Sequence, residues 1–302
     1  MLLDEIKRGL RPPVPSALIG ADKALARELQ QRLADLGLLD PPVDGAFGPV
    51  SRWALVALAE RLQLQDKPAL DAELAGALLD AGDDTFPLRP PGDGSLIDRI
   101  VRAMQSQAHW ICRLPDAVNI VYIEGMAPDG SLNGNEPDRF NDTRLVFRVA
   151  PDGRPEVLGA WDATTEPGKY YTETARIHPR GAARIAFGQY KAWSLGRHPM
   201  SAPDGHEALV QTAELTVHRD FNADYSRSGD ATDTGLFGVN QHWGYDNPPN
   251  AIGRASAGCL VGRTKSGHRE FMALCKKDAR LRFSAGYRFM STVLRSSDLQ
   301  SL

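Results

Sequence analysis

Cysteine is scarce in this sequence: three residues, Cys112, Cys259 and Cys275, in a chain of 302. An odd and low count excludes a disulfide framework and leaves at least one free thiol. Long apolar runs are missing too, none approaching the ~20 residues a helix needs to cross a bilayer. Neither sign of charge is in excess: 35 Lys and Arg stand against 38 Asp and Glu, a formal net charge of −3. That balance removes the electrostatic case for a nucleic-acid partner or an anionic membrane surface. Internal repeats and low-complexity tracts are likewise lacking. The first residues, Met-Leu-Leu-Asp-Glu-Ile-Lys-Arg-Gly-Leu, place charges where a secretory signal would carry its apolar core. A composition of 42% hydrophobic and 24% charged residues describes a soluble globular chain long enough for two domains.

The pattern of apolar residues divides the chain. Within residues 18–80, Leu25, Leu29, Leu33 and Leu36 recur at helical spacing, and Gly37 is placed to end that helix. A turn follows at Val43-Asp44-Gly45-Ala46-Phe47-Gly48-Pro49, then a second helix from Val50 to Leu58. Residues 81–95 are rich in Pro, Gly and Asp and read as an interdomain linker. Ser95 then caps a helix expected to reach about Cys112, with Ile97, Ile100, Val101 and Met104 on one face. From Val118 the period shortens. Short β-rich runs are expected at Val118–Ile123, Arg144–Val149, Glu156–Trp161, Ala208–Gln211, Glu214–His218 and Gly235–Val239. A helix over Gly267–Lys277 and the run Tyr287–Leu294 close the chain. The fold class is α+β: a small N-terminal three-helix bundle, then a mainly β domain over 96–302 with peripheral helices.

Chemistry concentrates near the C-terminal end. Cys259 follows Gly258 directly, and His242 lies 259 − 242 = 17 positions upstream. A cysteine nucleophile needs a base to take its proton and backbone N–H groups to hold an oxyanion. A glycine before it lets the chain turn sharply enough to expose the thiol. Cys112 and Cys275 sit in amphipathic segments and are expected to pack as small apolar residues.

Two stretches resemble known families. Leu29-Gln30 through Leu36-Gly37, then Val43 through Pro49 with Ser51, resemble the peptidoglycan-binding domain type 1. That resemblance implies a peptidoglycan partner met by Asp44, Phe47 and Trp53. Ile252-Gly253-Arg254-Ala255, followed by Ser256, Gly258 and Cys259, resembles the L,D-transpeptidase (YkuD-like) catalytic domain, as does Trp161 to Tyr170 with Pro167-Gly168. The likeness is spread over residues 118–265, and three positions depart from it. Ala257 stands where the motif has a second histidine, Val261 where it has arginine, and Trp243 separates His242 from Gly244.

The resemblance implies a β-sandwich, no cofactor and a monomer working at the cell wall or periplasm. Delivery would then be by lysis or specialised secretion, or by a leader outside this sequence. It also implies that Cys259 attacks a stem-peptide carbonyl while His242 acts as base. The N–H groups of Cys259 and Gly258 would form the oxyanion hole, Ser256 would orient the imidazole or line the pocket, and pairing with histidine would lower the thiol pKa. Arg254, Arg263 and Trp243 would bind substrate.

Other readings stay open at this point. Asp220, Asn222 and Asp224 match the first ligand positions of a calcium loop, with Tyr225 and Ala231 at its glycine and glutamate positions. Asx-capped turns explain the same residues. His218, Asp220 and His242 would serve a zinc peptidase. Glu124, Asp138 or Asp142 would line a cleft if carboxylates did the work. His109, His178, His198, His206 and His268 have no local motif and read as surface or loop residues. A degenerate transpeptidase-like domain in a non-catalytic wall-binding protein is the remaining alternative.

Overall fold

The structure, a computed structural model, describes residues 1–64, 67–199 and 205–300. Its N-terminal part holds four helices: α1 (Leu2–Lys7), α2 (Lys23–Asp35), α3 (Pro49–Arg61) and α4 (Ala72–Asp80). The Asp22 carboxylate accepts the Ala24 and Leu25 N–H groups at the start of α2. Gly37, at φ +75, ends it, with Leu38 N–H bonded to the Leu33 carbonyl and Gly37 N–H to that of Ala34. Pro49 starts α3, where its missing N–H costs nothing. Leu25, Leu29, Leu33, Leu58 and Leu78 share one core with Leu3 and Ile6 of α1. Helix α1 was not legible from the sequence, and it makes the bundle four-helical among the described residues. A two-residue ladder, β1 (Val14–Pro15) on β2 (Ala69–Leu70), ties its loops.

The helical core runs on through the next segment instead of stopping at residue 80. Phe86 is buried in it, with Cys112, Leu114 and Ala117. Arg89 N–H bonds to the Gly153 carbonyl, Trp110 Nε1 to the Ala34 carbonyl (2.9 Å), and Arg113 N–H to the Gly37 carbonyl. Helix α5 (Leu96–Ser106) starts as expected, with Ser95 Oγ accepting the Asp98 N–H. It ends at Ser106, short of Cys112, because Ala108 turns to φ 54.

The remaining strands are β3 (Asn119–Glu124), β4 (Asp142–Val149), β5 (Pro155–Thr164), β6 (Ala182–Ile185), β7 (Gly188–His198), β8 (His206–Gln211), β9 (Leu215–Asp220), β10 (Ala231–Gly235), β11 (Gln241–Trp243), β12 (Leu260–Gly262) and β13 (Arg288–Arg295). Eight of them close in the order β11-β12-β5-β4-β3-β13-β7-β8, and β10-β9-β6 form a separate three-stranded sheet. The α+β class is as expected, but the sandwich is replaced by a barrel. The reason is β11, which pairs with β12 on one side and meets β8 at Gln241–Leu209 on the other, leaving no open edge. Of the run Gly235–Val239 only Gly235 pairs, at the end of β10; beyond it Gln211 Oε1 takes the Phe237 and Val239 N–H groups. Helices α6 (Lys265–Lys276) and α7 (Arg280–Phe283) follow β12. Phe271, Met272 and Cys275 of α6 are buried in the barrel core, beside Trp193 and Phe289. No helix among the described residues is long and apolar enough to cross a membrane.

Candidate active site

Parallel pairing of β11 with β12 puts His242 opposite Val261 and Gln241 opposite Leu260. One step back, the Leu260 N–H bonds to the Asn240 carbonyl, so Asn240 lies beside Cys259. Side chains alternate along a strand, so Cys259 and His242, two positions on from Asn240, face the same side. Both line a cavity of about 490 Å³, together with Ala257, Gly258, Arg254 and His198. Gly258 has φ +125, and a Cβ there would come 2.5 Å from the Ala183 carbonyl oxygen. Only glycine satisfies both constraints. Beneath the loop, Gly168 N–H bonds to the Ser256 carbonyl, and a Cβ on Gly168 would meet the Gly253 oxygen at 2.2 Å. The Pro167-Gly168 segment is therefore the floor of the 252–258 loop.

Ser256 is buried and works within the loop: its Oγ accepts the Gly258 N–H (3.1 Å) and donates to the Cys259 carbonyl (2.9 Å). That leaves the Gly258 N–H engaged in this state. The Cys259 N–H donates to no acceptor among the described residues. Cys259 is only 9% exposed. Its Sγ accepts the Asn240 N–H (3.4 Å), and the S–H faces the Gly238 carbonyl (3.5 Å). Burial pushes this thiol up to about 11. His242 is buried as well, and its Nδ1 lies 2.8 Å from the Trp243 carbonyl. A carbonyl only accepts, so Nδ1 carries the proton and Nε2 is the basic nitrogen. Burial, and then the neighbouring His198, hold His242 well below the usual histidine range. The resting pair is thus a neutral thiol and a neutral imidazole, where the sequence pointed to a lowered thiol pKa.

The substrate-side residues separate. Arg254 lines the cavity, its guanidinium 4.0 Å from the centre of the Tyr170 ring. Arg263 is engaged outside the cavity lining, with Nε 3.0 Å from Asp162. Trp243 also lies outside it, stacked on His206 at 3.8 Å. In the helical part, Asp44 accepts from Ala46 N–H within its turn and from Gln30 Nε2 of α2, and Phe47 is a core residue. Trp53 stacks on Phe283 (5.6 Å, 23°) at a second cavity of about 350 Å³.

The metal candidates are tied up by their own loop. Asp220 accepts the Asp224 and Tyr225 N–H groups, and Asn222 Nδ2 donates to Asp224 Oδ2 at 2.7 Å. His218 lies in the small sheet, opposite Arg184 and Thr232. Among the described residues no group of three or more His, Cys, Asp or Glu is disposed to hold a metal ion. Glu124 lies in a buried network instead of a cleft: Arg227 grips it with two bonds (2.7 and 2.6 Å), Glu166 pairs with Arg184, and Asp142 accepts from Gly125 and Thr165. Asp138 caps backbone, accepting the Lys169 and Gly253 N–H groups.

Sequence reasoning missed the histidines. His206 and His268 are buried, not surface residues, and His198 stacks face to face on His242 at 4.0 Å and 11°. Arg144 was missed too. It is fully buried behind the pair, donating to the His242 and Leu260 carbonyls, the Tyr122 hydroxyl and His268 Nδ1. These residues carry no local motif; strand pairing and the packing of α6 bring them together.

No protein-family model and no curated protein matches this chain. A solved structure of a fused Zn-dependent amidase/peptidase/peptidoglycan-binding domain-containing protein from Clostridium acetobutylicum is similar to it at 11% identity, covering 89% of this chain and 95% of that one, with a TM-score of 0.26. A likeness at that TM-score carries no inference about fold or chemistry.

Proposed function

We propose that this chain is a cysteine-dependent acyl-transfer enzyme acting on the stem peptides of peptidoglycan at the cell wall. Residues 18–80 would bind the wall, 81–95 would link, and 96–302 would carry the chemistry. The observation that supports this most is a cavity wall that Cys259 shares with a histidine whose Nε2 is kept free of its proton. Cys259 gives its proton to His242 Nε2 as Sγ attacks the peptide carbonyl. The Cys259 N–H stabilises the oxyanion, the C–N bond breaks, and His242 returns the proton to the departing amine. An acceptor amine or water then resolves the thioester, giving transfer or hydrolysis. With the thiol held near 11, proton transfer must accompany attack, because little thiolate stands ready at neutral pH. Arg254, which lines the same cavity, would meet a stem-peptide carboxylate.

The burial and raised pKa of the thiol favour one second reading, a wall-binding protein whose transpeptidase-like domain does no chemistry. Incubating the protein and its Cys259→Ala variant with purified peptidoglycan, and weighing the muropeptides by mass spectrometry, separates the two. Altered stem peptides from the native protein alone support the enzyme. Unaltered peptides, with both proteins sedimenting on the wall, favour the binder. Equal action by both proteins removes Cys259 from the chemistry.

A further inference from the structure

An oxyanion in this cavity needs more than the single N–H that Cys259 offers. The Gly258 N–H is taken by Ser256 Oγ, and Ala257 brings no polar side-chain atom to the wall. His198, at the end of β7, lines the same cavity and lies flat against His242. Its protonation pattern follows from a short relay of bonds. The Gln211 N–H donates to Asn240 Oδ1 at 2.9 Å, which fixes the amide so that its NH2 faces away from Gln211. Asn240 Nδ2 stands 3.0 Å from His198 Nδ1 and donates to it. A neutral His198 therefore carries its proton on Nε2. The two stacked rings are opposites: His242 offers a lone pair at Nε2, whereas His198 offers an N–H there. The same Asn240 donates its backbone N–H to Cys259 Sγ, so one residue aligns the nucleophile and sets the tautomer of the second histidine.

We propose that His198 is a further catalytic residue, its Nε2–H serving with the Cys259 N–H as the second donor to the oxyanion formed when Cys259 attacks a carbonyl. This rests on the acyl-transfer reading above. A base role is closed to His198 because its lone pair is already used by Asn240. In the step itself the thiol proton passes to His242 Nε2, the S–C bond forms, and the carbonyl π pair moves onto oxygen. Two N–H groups then meet that oxygen. Collapse restores the carbonyl and breaks the bond to the leaving group, leaving a thioester.

Two reactions of the same thiol test the assignment in the full-length protein. Acylation by p-nitrophenyl acetate passes through an oxyanion; alkylation by iodoacetamide does not. Single-turnover labelling of Cys259 is followed by intact-protein mass spectrometry, with Cys259→Ala as background. His198→Ala should slow acylation by about 10²–10³-fold, the usual loss for one oxyanion donor, and leave alkylation within about twofold. His198→Gln, which keeps an N–H donor but no ring, should recover much of the acylation rate. An equal fall in both reactions would mean the ring only shapes the pocket. Unchanged acylation in His198→Ala, or no rescue by glutamine, would overturn the donor role. If the native thiol is acylated and the variants follow the expected pattern, yet stem peptides stay unaltered, the substrate reading fails while this assignment stands.

Discussion

Gly258 is where a single residue decides the most. Its φ of +125 lies where L side chains rarely go, and the Ala183 carbonyl occupies the space a Cβ would need. Neither constraint can be relaxed without moving Cys259, whose carbonyl and preceding N–H are both bonded to Ser256. Gly258→Ala should therefore lower stability by roughly 1–3 kcal/mol, the cost of one strained backbone position. Urea unfolding followed by circular dichroism measures it; an unchanged midpoint would show that the loop gives way without penalty. Cys112, by contrast, is fully buried in the helical core and lines neither cavity described above, although desolvation raises its thiol to about 11 as it does that of Cys259.

Between elements, Arg144 holds the two short strands that carry the site. It reaches from β4 to the carbonyls of His242 in β11 and Leu260 in β12, and to His268 on α6. A Cβ on Gly262 would sit 2.6 Å from its Nη1, so β12 needs glycine at that point to let the guanidinium pass. No carboxylate pairs with Arg144 among the described residues; its partners named above are neutral acceptors, and its guanidinium lies over the rings of Phe271 (4.3 Å) and Tyr122 (5.4 Å). Desolvation, then the Arg144 charge, hold His268 down to about 3, so that its Nδ1 stays a pure acceptor. Arg144→Met removes a costly buried charge but strands several acceptors, each worth about 1–3 kcal/mol when left unpaired. The expected net loss is roughly 3 kcal/mol in urea unfolding, together with slower alkylation of Cys259 as β11 and β12 drift apart. A variant as stable as the native protein would mean that water takes over the carbonyls.

Over the whole molecule, the buried network of Glu124, Asp142, Glu166, Arg184 and Arg227 sets a pH dependence. Burial, with the Glu124 charge adding to it against Arg184, raises Glu166 to about 7. Asp142 is likewise raised well above the usual carboxyl range, by burial and then by Glu124 and Glu166. A carboxyl with a raised pKa binds its proton more tightly folded than unfolded. Stability should therefore fall as pH rises from the unfolded value of about 4.3 towards about 7, with no further loss from Glu166 above that. Glu166→Gln should flatten this slope, which melting temperatures between pH 4.5 and 8 would reveal. An unchanged slope would assign it to other groups. At this scale the helical part is also no loose appendage: Asp40, 2% exposed, meets Lys191 of β7 and Arg280 of α7.

Much of the local structure was readable because local chemistry produces it. The leucine spacing of α2, the Gly37 stop, the Ser95 cap and the β-rich composition of β3 to β5 depend on near neighbours, and all appear where the residues point. The Gly-Cys turn belongs with them, since its need for glycine is a backbone property. Barrel closure, the neutral state of the thiol and the stacking of His198 on His242 were not readable. Each depends on residues that only the fold brings together, Gln241 with Leu209 across 32 positions and Asn240 with His198 across 42. Desolvation has no sequence signature of its own, because only packing decides which side of Cys259 faces water. The sequence by itself determined that Cys259 and His242 are candidates for the chemistry; the tertiary structure alone added His198 to them and decided where the protons reside, because tautomer and pKa are set by burial and by hydrogen-bond partners that the fold brings in from afar.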